Sequence, residues 1–278
     1  MALRINHNIA AINTQRNLQR TTFDLSKSLQ KLSSGFRINT AADDPAGLVI
    51  SEQLRAQVGG LQAAVRNSQE AANLIGITEG ALQEINDTLV SIRALTLHAA
   101  NTGVVGADQI AADQAEVDNA VNSIQRIAET TRYAGDRIFT GSNRNFHVGE
   151  GTSAGDRVSI IIVEISTQVL NLDSIKDGGA LDLGTSAGGA LSAIDGAISY
   201  ISGLRGDLGA FQKNTLQTNI NSLSVAIENV TATESFIRDA NMAVETSEFT
   251  KNQILVQAGT AVLAQSNLAS QNVLRLLA

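Results

Sequence analysis

The sequence predicts a mainly α-helical protein, an elongated antiparallel bundle or rod of long helices with a small β-hairpin lobe and a terminal coiled-coil domain. The 278 residues include one proline and no Trp, so the 43% hydrophobic content is mostly Leu, Ile, Val and Ala. That composition is typical of long packed helices. Apolar residues recur at helical spacing near both chain ends, and a turn-rich segment lies between them. The two ends are therefore expected to pair antiparallel.

Composition excludes several classes of protein. The chain has no cysteine, which rules out disulfides and thiolate chemistry. It has no run of 18 apolar residues, so we expect no membrane span. The opening "MALRINHNIAAINTQ" lacks the apolar core of a secretory signal, so export would need another route. Acidic residues dominate the middle of the chain, which argues against nucleic-acid binding.

The first helix is predicted over residues 4–34, with Gly35 placed to end it in a left-handed cap. Asp44 is a plausible N-cap for the next helix, because Pro45 suits the first helical position. The rival interpretation of Asp43 and Asp44 as a metal site is disfavoured, since no further carboxylate or His is close in sequence. The apolar residues of the first helix that share a face or recur at helical spacing are Ile5, Ile9, Ile12, Leu18, Leu25, Leu29 and Leu32.

The second helix is predicted from Pro45 to about Asn101, and its length leaves two alternatives open. At 1.5 Å per residue it would run about 85 Å. A compact globule of this chain length would be roughly 50 Å across. Either the molecule is a rod, or the helix is broken at its glycines, which weaken a helix by up to about 1 kcal/mol each.

The middle of the chain changes period and then returns to helix. A helix is predicted at about 108–133, and Val- and Ile-rich runs at about 145–165 predict a β-hairpin. The glycine-rich stretch 176–190 is expected to be a loop, with helix resuming at about Leu191. After a bend near 236–243, the last helix carries a strict seven-residue stripe, expected to meet the N-terminal helix: Leu255, Val262, Ala269 and Leu276.

The final 27 residues hold a single charge, Arg275, and ten Asn, Gln, Ser or Thr. A helix without a charged face is buried on all sides. The membrane is disfavoured, because every amide and hydroxyl would need a partner in lipid. The chain has only the N-terminal helix to cover this segment, so its remaining faces should meet other copies. A contact that repeats head-to-tail produces an open helical filament.

The sequence resembles those of the bacterial flagellin family. The resemblance runs through "LSSGFRINTAADDPAGLVISEQLRAQVGGLQAA" and "TEGALQEINDTL" in the first half, and through "LRGDLGAFQ", "QILVQAGTAVLAQSN" and "QNVLRLLA" in the second. It covers about residues 1–140 and 190–278. The chain looks like a short flagellin, because it lacks room for the outer globular domains of larger members.

The resemblance implies a terminal coiled-coil domain, here about 1–43 and 238–278, and a helical rod domain, here about 44–237. It implies a structural subunit that polymerises into the extracellular filament for motility and leaves the cell by flagellar type III export. The implied partners are other copies, an export chaperone, the filament cap protein and the hook-filament junction proteins. The expected subunit-interface residues are the apolar residues of the first helix together with Leu255, Val262, Leu268, Ala269, Val273 and Leu276.

The alternatives are a hook-filament junction protein, an enzyme and a helical adaptor. No catalytic motif, cofactor site or metal site is present in the sequence, so an enzyme is disfavoured. In many flagellins, a rod segment is recognised by the vertebrate Toll-like receptor for flagellin. Its Leu maps to Leu95, its Glu to Glu116, and its Arg to Ser91, so the resemblance implies weak recognition.

Overall fold

The computed structural model describes the backbone of residues 7–277 and the side chains of residues 7–268. Six helices and four short strands follow each other along this part of the chain. The helices are α1 Ile9–Ser34, α2 Pro45–Ala99, α3 Ala107–Thr130, α4 Leu183–Phe211, α5 Thr218–Arg238 and α6 Met242–Leu277. The strands are β1 Arg132–Tyr133, β2 Asp136–Arg137, β3 Asn143–His147 and β4 Arg157–Ile161.

The helix ends follow local sequence signals. Gly35 takes a φ of 76° and its amide donates to the Lys31 carbonyl, which closes α1 as predicted. The Asp44 carboxylate accepts the Gly47 amide at 2.9 Å, which confirms it as the N-cap of α2. α2 is one continuous helix of 55 residues, so the alternative of a break at its glycines is wrong.

The chain divides into two compact units. The terminal unit comprises Met1–Val58 and Glu228–Ala278, and the central unit comprises Gly59–Ile227. In the central unit, α3 and α4 pack against α2 around a continuous core that includes Leu82, Ile85 and Leu89 from α2. Two ion pairs join α2 to α4: Arg93 with Asp195 at 2.6 Å, and Arg205 with Glu79 at 3.8 Å.

The predicted hairpin is confirmed, with β3 and β4 antiparallel and Asn145 opposite Ser159. Two asparagines hold the end of β3. Asn67 of α2 donates to the His147 carbonyl at 2.8 Å, and Asn219 of α5 donates to the Val148 carbonyl at 2.9 Å. A second, two-residue pairing of β1 with β2 precedes this hairpin and was absent from the sequence prediction.

The predicted loop at 176–190 is partly wrong, because α4 already begins at Leu183. The Asp182 carboxylate accepts the Thr185 amide at 2.6 Å and caps the helix. The buried Gln114 of α3 accepts the Leu183 amide and donates to the Ile175 carbonyl, each at 2.8 Å. These tertiary contacts fix the helix start within a glycine-rich stretch that has little helix propensity of its own.

A six-residue π-helical segment, Gln212–Gln217, joins α4 to α5. The bend expected near 236–243 is confirmed as the break between Arg238 and Met242. The tripeptide Arg205-Gly206-Asp207, which resembles an adhesion motif, lies inside α4.

Candidate assembly interface

The candidate site is built on the antiparallel pair of α1 and α6. The Asn8 side chain donates to the Ser266 carbonyl at 2.9 Å, and Lys31 pairs with Glu245 at 3.6 Å. Between them, Gly259 lies opposite Leu18, whose Cδ1 would be 3.2 Å from a Cβ added to the glycine. The absent side chain therefore allows the two helices to approach closely at this level.

The side of α1 that meets α6 carries Leu18, Leu25 and Leu32, which are half-buried. On α6 beyond Glu245, the half-buried and buried residues among those described are Phe249, Asn252, Val256, Gly259, Leu263 and Ser266. They alternate three and four residues apart, which is the spacing of a helix face packed against a second helix.

The prediction that Leu255 and Val262 meet α1 is therefore wrong. These side chains are 47% and 52% exposed and lie on a neighbouring face of α6. The reason is that apolar residues occur all around α6, so a seven-residue repeat alone does not select the face. Gly259 selects it, because the absence of a side chain there permits the close approach to Leu18. Ile5 lies outside the described residues, and the side chains of Ala269, Val273 and Leu276 lie outside them too.

The terminal unit has almost no core of its own. Among the described residues, its one fully buried apolar side chain is Ile38, at 1% exposure. The same unit contributes more than half of the exposed large apolar side chains of the described chain. These are Ile9, Ile12, Phe23, Leu29, Phe36, Val49, Ile50, Phe236, Met242, Val244, Ile254, Leu255, Val262 and Leu268. So many exposed apolar side chains on one unit mark an interaction surface.

A short antiparallel bridge between Phe36 and Asp239 connects the segment that follows α1 with the segment that precedes α6. The Arg37 amide donates to the Arg238 carbonyl at 2.7 Å, and the Ala240 amide donates to the Gly35 carbonyl at 2.8 Å. The Arg238 guanidinium lies 4.9 Å from the centre of the Phe36 ring and pairs with Glu52 at 2.8 Å. This connection is polar and specific.

Asp43 holds the turn before α2. Its carboxylate pairs with Lys27 at 2.9 Å and accepts the Thr40 amide and hydroxyl, as well as the Asn39 amide. Lys27 first, and then these hydrogen bonds, hold the pKa of the Asp43 carboxyl well below its usual range. The carboxylate is thus already satisfied by protein groups. Within the described residues, no cluster of His and carboxylates is arranged to hold a metal ion.

The receptor-facing candidates lie on α2 and α3. Ser91 is exposed and its hydroxyl donates to the Asp87 carbonyl at 3.1 Å. Leu95 is half-buried and Glu116 is exposed. One turn from the latter two, a hydrogen bond of 2.6 Å between His98 Nδ1 and the Asp113 carboxylate joins the helices.

Sequence reasoning missed the exposed rings of the terminal unit. Phe23 and Phe236 are 63% and 86% exposed, in a chain with only seven Phe. Both occur among polar residues, and that placement was the available signal.

No helix in the described part of the chain is long and apolar enough to cross a membrane.

A pair of terminal helices without a core, presenting apolar faces, defines a subunit class that is completed by its neighbours in an assembly. The profile of the bacterial flagellin N-terminal helical region matches residues 5–144, and that of the C-terminal helical region matches residues 191–277. The chain belongs to the bacterial flagellin family. Its function is that of a structural subunit of the flagellar filament.

Relatives extend this similarity over the full length. The chain is 39% identical to a flagellin of Bacillus subtilis, with 99% of this chain and 100% of the relative covered. It is 37% identical to flagellin FlaB1 of Treponema pallidum, with 98% and 99% covered. A solved structure provisionally described as a flagellar hook-associated protein, from Vibrio parahaemolyticus, has a similar fold, with a TM-score of 0.61 at 16% identity. That similarity covers 70% of this chain and 99% of the other.

Proposed function

We propose that the α1·α6 pair is the polymerisation element of this subunit. The observation that carries the proposal is the contrast between Ile38, its one buried apolar residue among those described, and the many exposed apolar side chains of the same unit. Ile9, Ile12, Leu29, Leu255, Val262 and Leu268 are the described interface residues that are exposed in the single chain. Leu18, Leu25 and Leu32 hold α6 and support the interface from within the chain.

Assembly is driven by burial of these side chains between copies. Burying a Leu, Ile, Val or Phe side chain fully contributes about 1.5–3 kcal/mol, and these are about half exposed at the start. Some ten of them would contribute on the order of 10 kcal/mol for each subunit, before the association entropy is subtracted. Amide and hydroxyl side chains of α6 then pair between helices and fix the register.

The remaining parts of the proposed role follow from the family. The chain is exported through the flagellar type III system, with a chaperone bound to its C-terminal region, and is incorporated into the extracellular filament beneath the cap protein. At its base, the filament meets the hook-filament junction proteins. The domain boundaries remain those proposed from the sequence, about 1–43 with 238–278, and 44–237. The role is mechanical, without a catalytic step or cofactor.

Recognition by the vertebrate receptor for flagellin is proposed to be weak. Ser91 is exposed on α2 where stronger agonists of the family carry an Arg. An Arg that anchors an interface is often worth about 2 kcal/mol or more. At the other two positions of the contact, this chain has the same residue types as those flagellins, Leu95 and Glu116.

Deletion of residues 262–278 tests the polymerisation element. The deletion removes the last part of α6, whereas the buried core of the central unit lies between Leu61 and Leu223. We expect the truncated chain to keep the cooperative unfolding of that core and to form no filaments on seeds, as judged by electron microscopy. A short deletion in the loop of the central hairpin, residues 151–153, is the control for a deletion outside the terminal helices. Normal filaments from the truncated chain would contradict the proposal.

A further inference from the structure

The buried side of α2 follows one unbroken repeat through the central unit. Buried residues recur there every seven positions, and each is followed three residues later by another buried residue, up to Ala99. The residues of the seven-residue repeat are Leu61, Ser68, Ile75, Leu82, Leu89 and Thr96. A helix that packs along this side must present its own buried residues at the same spacing to stay in contact.

The helices α4 and α5, taken as one continuous rod, break this repeat once. In α4 the buried residues Ile194, Ile201 and Leu208 are seven positions apart. The next buried residue, Leu216, comes eight positions later, and Leu223 follows it at seven. In an uninterrupted α-helix, one residue in excess would turn all later side chains by about 100° around the axis and away from α2.

The π-helical segment Gln212–Gln217 coincides with this eight-residue step. A π turn forms its hydrogen bonds between residues i and i+5, so it takes up one residue more than an α turn does. On the next turn, Asn219 donates to the Ser68 hydroxyl at 3.3 Å and to the Val148 carbonyl at 2.9 Å. Because Ser68 belongs to the repeat of α2, α5 faces the same side of α2 directly after the π segment.

The packing differs on the two sides of the π segment. α4 buries six apolar side chains and is joined to α2 by the two ion pairs described above. α5 buries only Leu223 among its side chains, and Val225 is 57% exposed. Segments with few buried apolar contacts open locally at a lower free energy than well-packed ones. We therefore expect α5 to open more readily than α4.

We infer that the π segment is a conformational joint of the central unit. It holds the one residue by which α4 and α5 together exceed the repeat of α2, so that both helices keep their buried sides on α2. The α-helical hydrogen-bond ladder is interrupted at this turn, and α5 therefore opens from α2 while α4 stays packed. The joint acts within the single chain, independently of the polymerisation proposed for the terminal helices.

Single-residue deletions in the full chain test whether the π segment corrects the phase. Asn214 is an exposed residue of this segment, and its removal shortens the step from Phe211 to Leu216 from five residues to four. The segment then becomes α-helical with the buried residues on both sides still in phase. We expect urea unfolding of this variant, followed by circular dichroism, at the wild-type midpoint or above it. Removal of the neighbouring Lys213 should give the same result.

Removal of Ser202, an exposed residue of α4, is the matched control. It shortens the chain by the same amount, but the residues between the deletion and the π segment, including the buried Leu208, turn out of phase with the rest. The unfolding equilibrium constant should rise by on the order of a hundredfold or more, because large side chains leave the core. Equal losses from the deletions of Asn214 and Ser202 would overturn the phase correction.

Native-state amide exchange of the monomer tests the joint itself. In the wild type, the amides of residues 220–227 in α5 should be protected about tenfold less than those of residues 194–208 in α4, or less still. Removal of Asn214 makes the helix continuous and should narrow this difference. Equal protection on both sides of the π segment in the wild type would overturn the joint. A difference that the Asn214 deletion leaves unchanged would overturn it as well.

Discussion

The central and terminal units differ in how far they bury their apolar side chains. The central unit buries Leu82, Ile85 and Leu89 completely and surrounds them with α3, α4 and the segment after β4. The terminal unit, among its described residues, fully buries only Ile38 of its apolar side chains and leaves Phe23 and Phe236 largely in solvent. The central unit has a packed core of its own, whereas the terminal unit leaves most of its large apolar side chains in solvent. This difference is what the proposed polymerisation of the terminal helices rests on.

The largest effect is expected from truncating one side chain in each unit and comparing the losses in the free energy of unfolding. Ile124→Ala opens a cavity in the fully buried core of the central unit, so we expect a loss of about 2–5 kcal/mol in the free energy of unfolding. Leu25→Ala, on the half-buried face of α1, should cost the monomer about 1 kcal/mol. Urea unfolding of the monomers measures both. Equal losses would show that the terminal unit has a core after all.

A second test concerns the polar anchor of the terminal unit. Asp43→Asn removes the ion pair with Lys27 and weakens the acceptor for Thr40, so the terminal unit should lose about 1–2 kcal/mol. Because the pKa of Asp43 is lowered in the fold, its contribution is complete above the unfolded value near 3.9 and is lost as the pH falls below it. The protection of the amides of residues 39–40, relative to their intrinsic exchange rate at each pH, should therefore fall below about pH 4. The Asn variant should lack this pH step.

The smallest effect on stability is expected on the exposed surface of the central unit. Ser91→Arg places a cation on α2 without touching the core, so unfolding should change by less than about 0.5 kcal/mol. Activation of reporter cells that carry the vertebrate receptor for flagellin should rise, while Ser91→Gln, a polar control without the charge, should change little. A wild-type chain as active as a strong flagellin agonist would refute the proposed weakness.

Much of the fold could be predicted because local signals were strong. Gly35 and Asp44 with Pro45 fixed two helix ends, and the Val- and Ile-rich runs located the hairpin of β3 and β4. The start of α4 could not be predicted, because its glycine-rich sequence is typical of a loop. Its first turn is held by a tertiary contact, in which Gln114 of α3 accepts the Leu183 amide. The assembly surface stays a prediction, and only the face of α6 that meets α1 was tested, where Leu255 and Val262 were assigned wrongly.

The sequence by itself determined that this chain has two apolar terminal helices and too little chain to cover them. Composition and periodicity contain that information, because they report how much apolar surface a helix presents. Tertiary structure alone decided which side of α6 meets α1, through the close approach of Gly259 and Leu18. A helix that is apolar all round has no preferred face until a second helix packs against it.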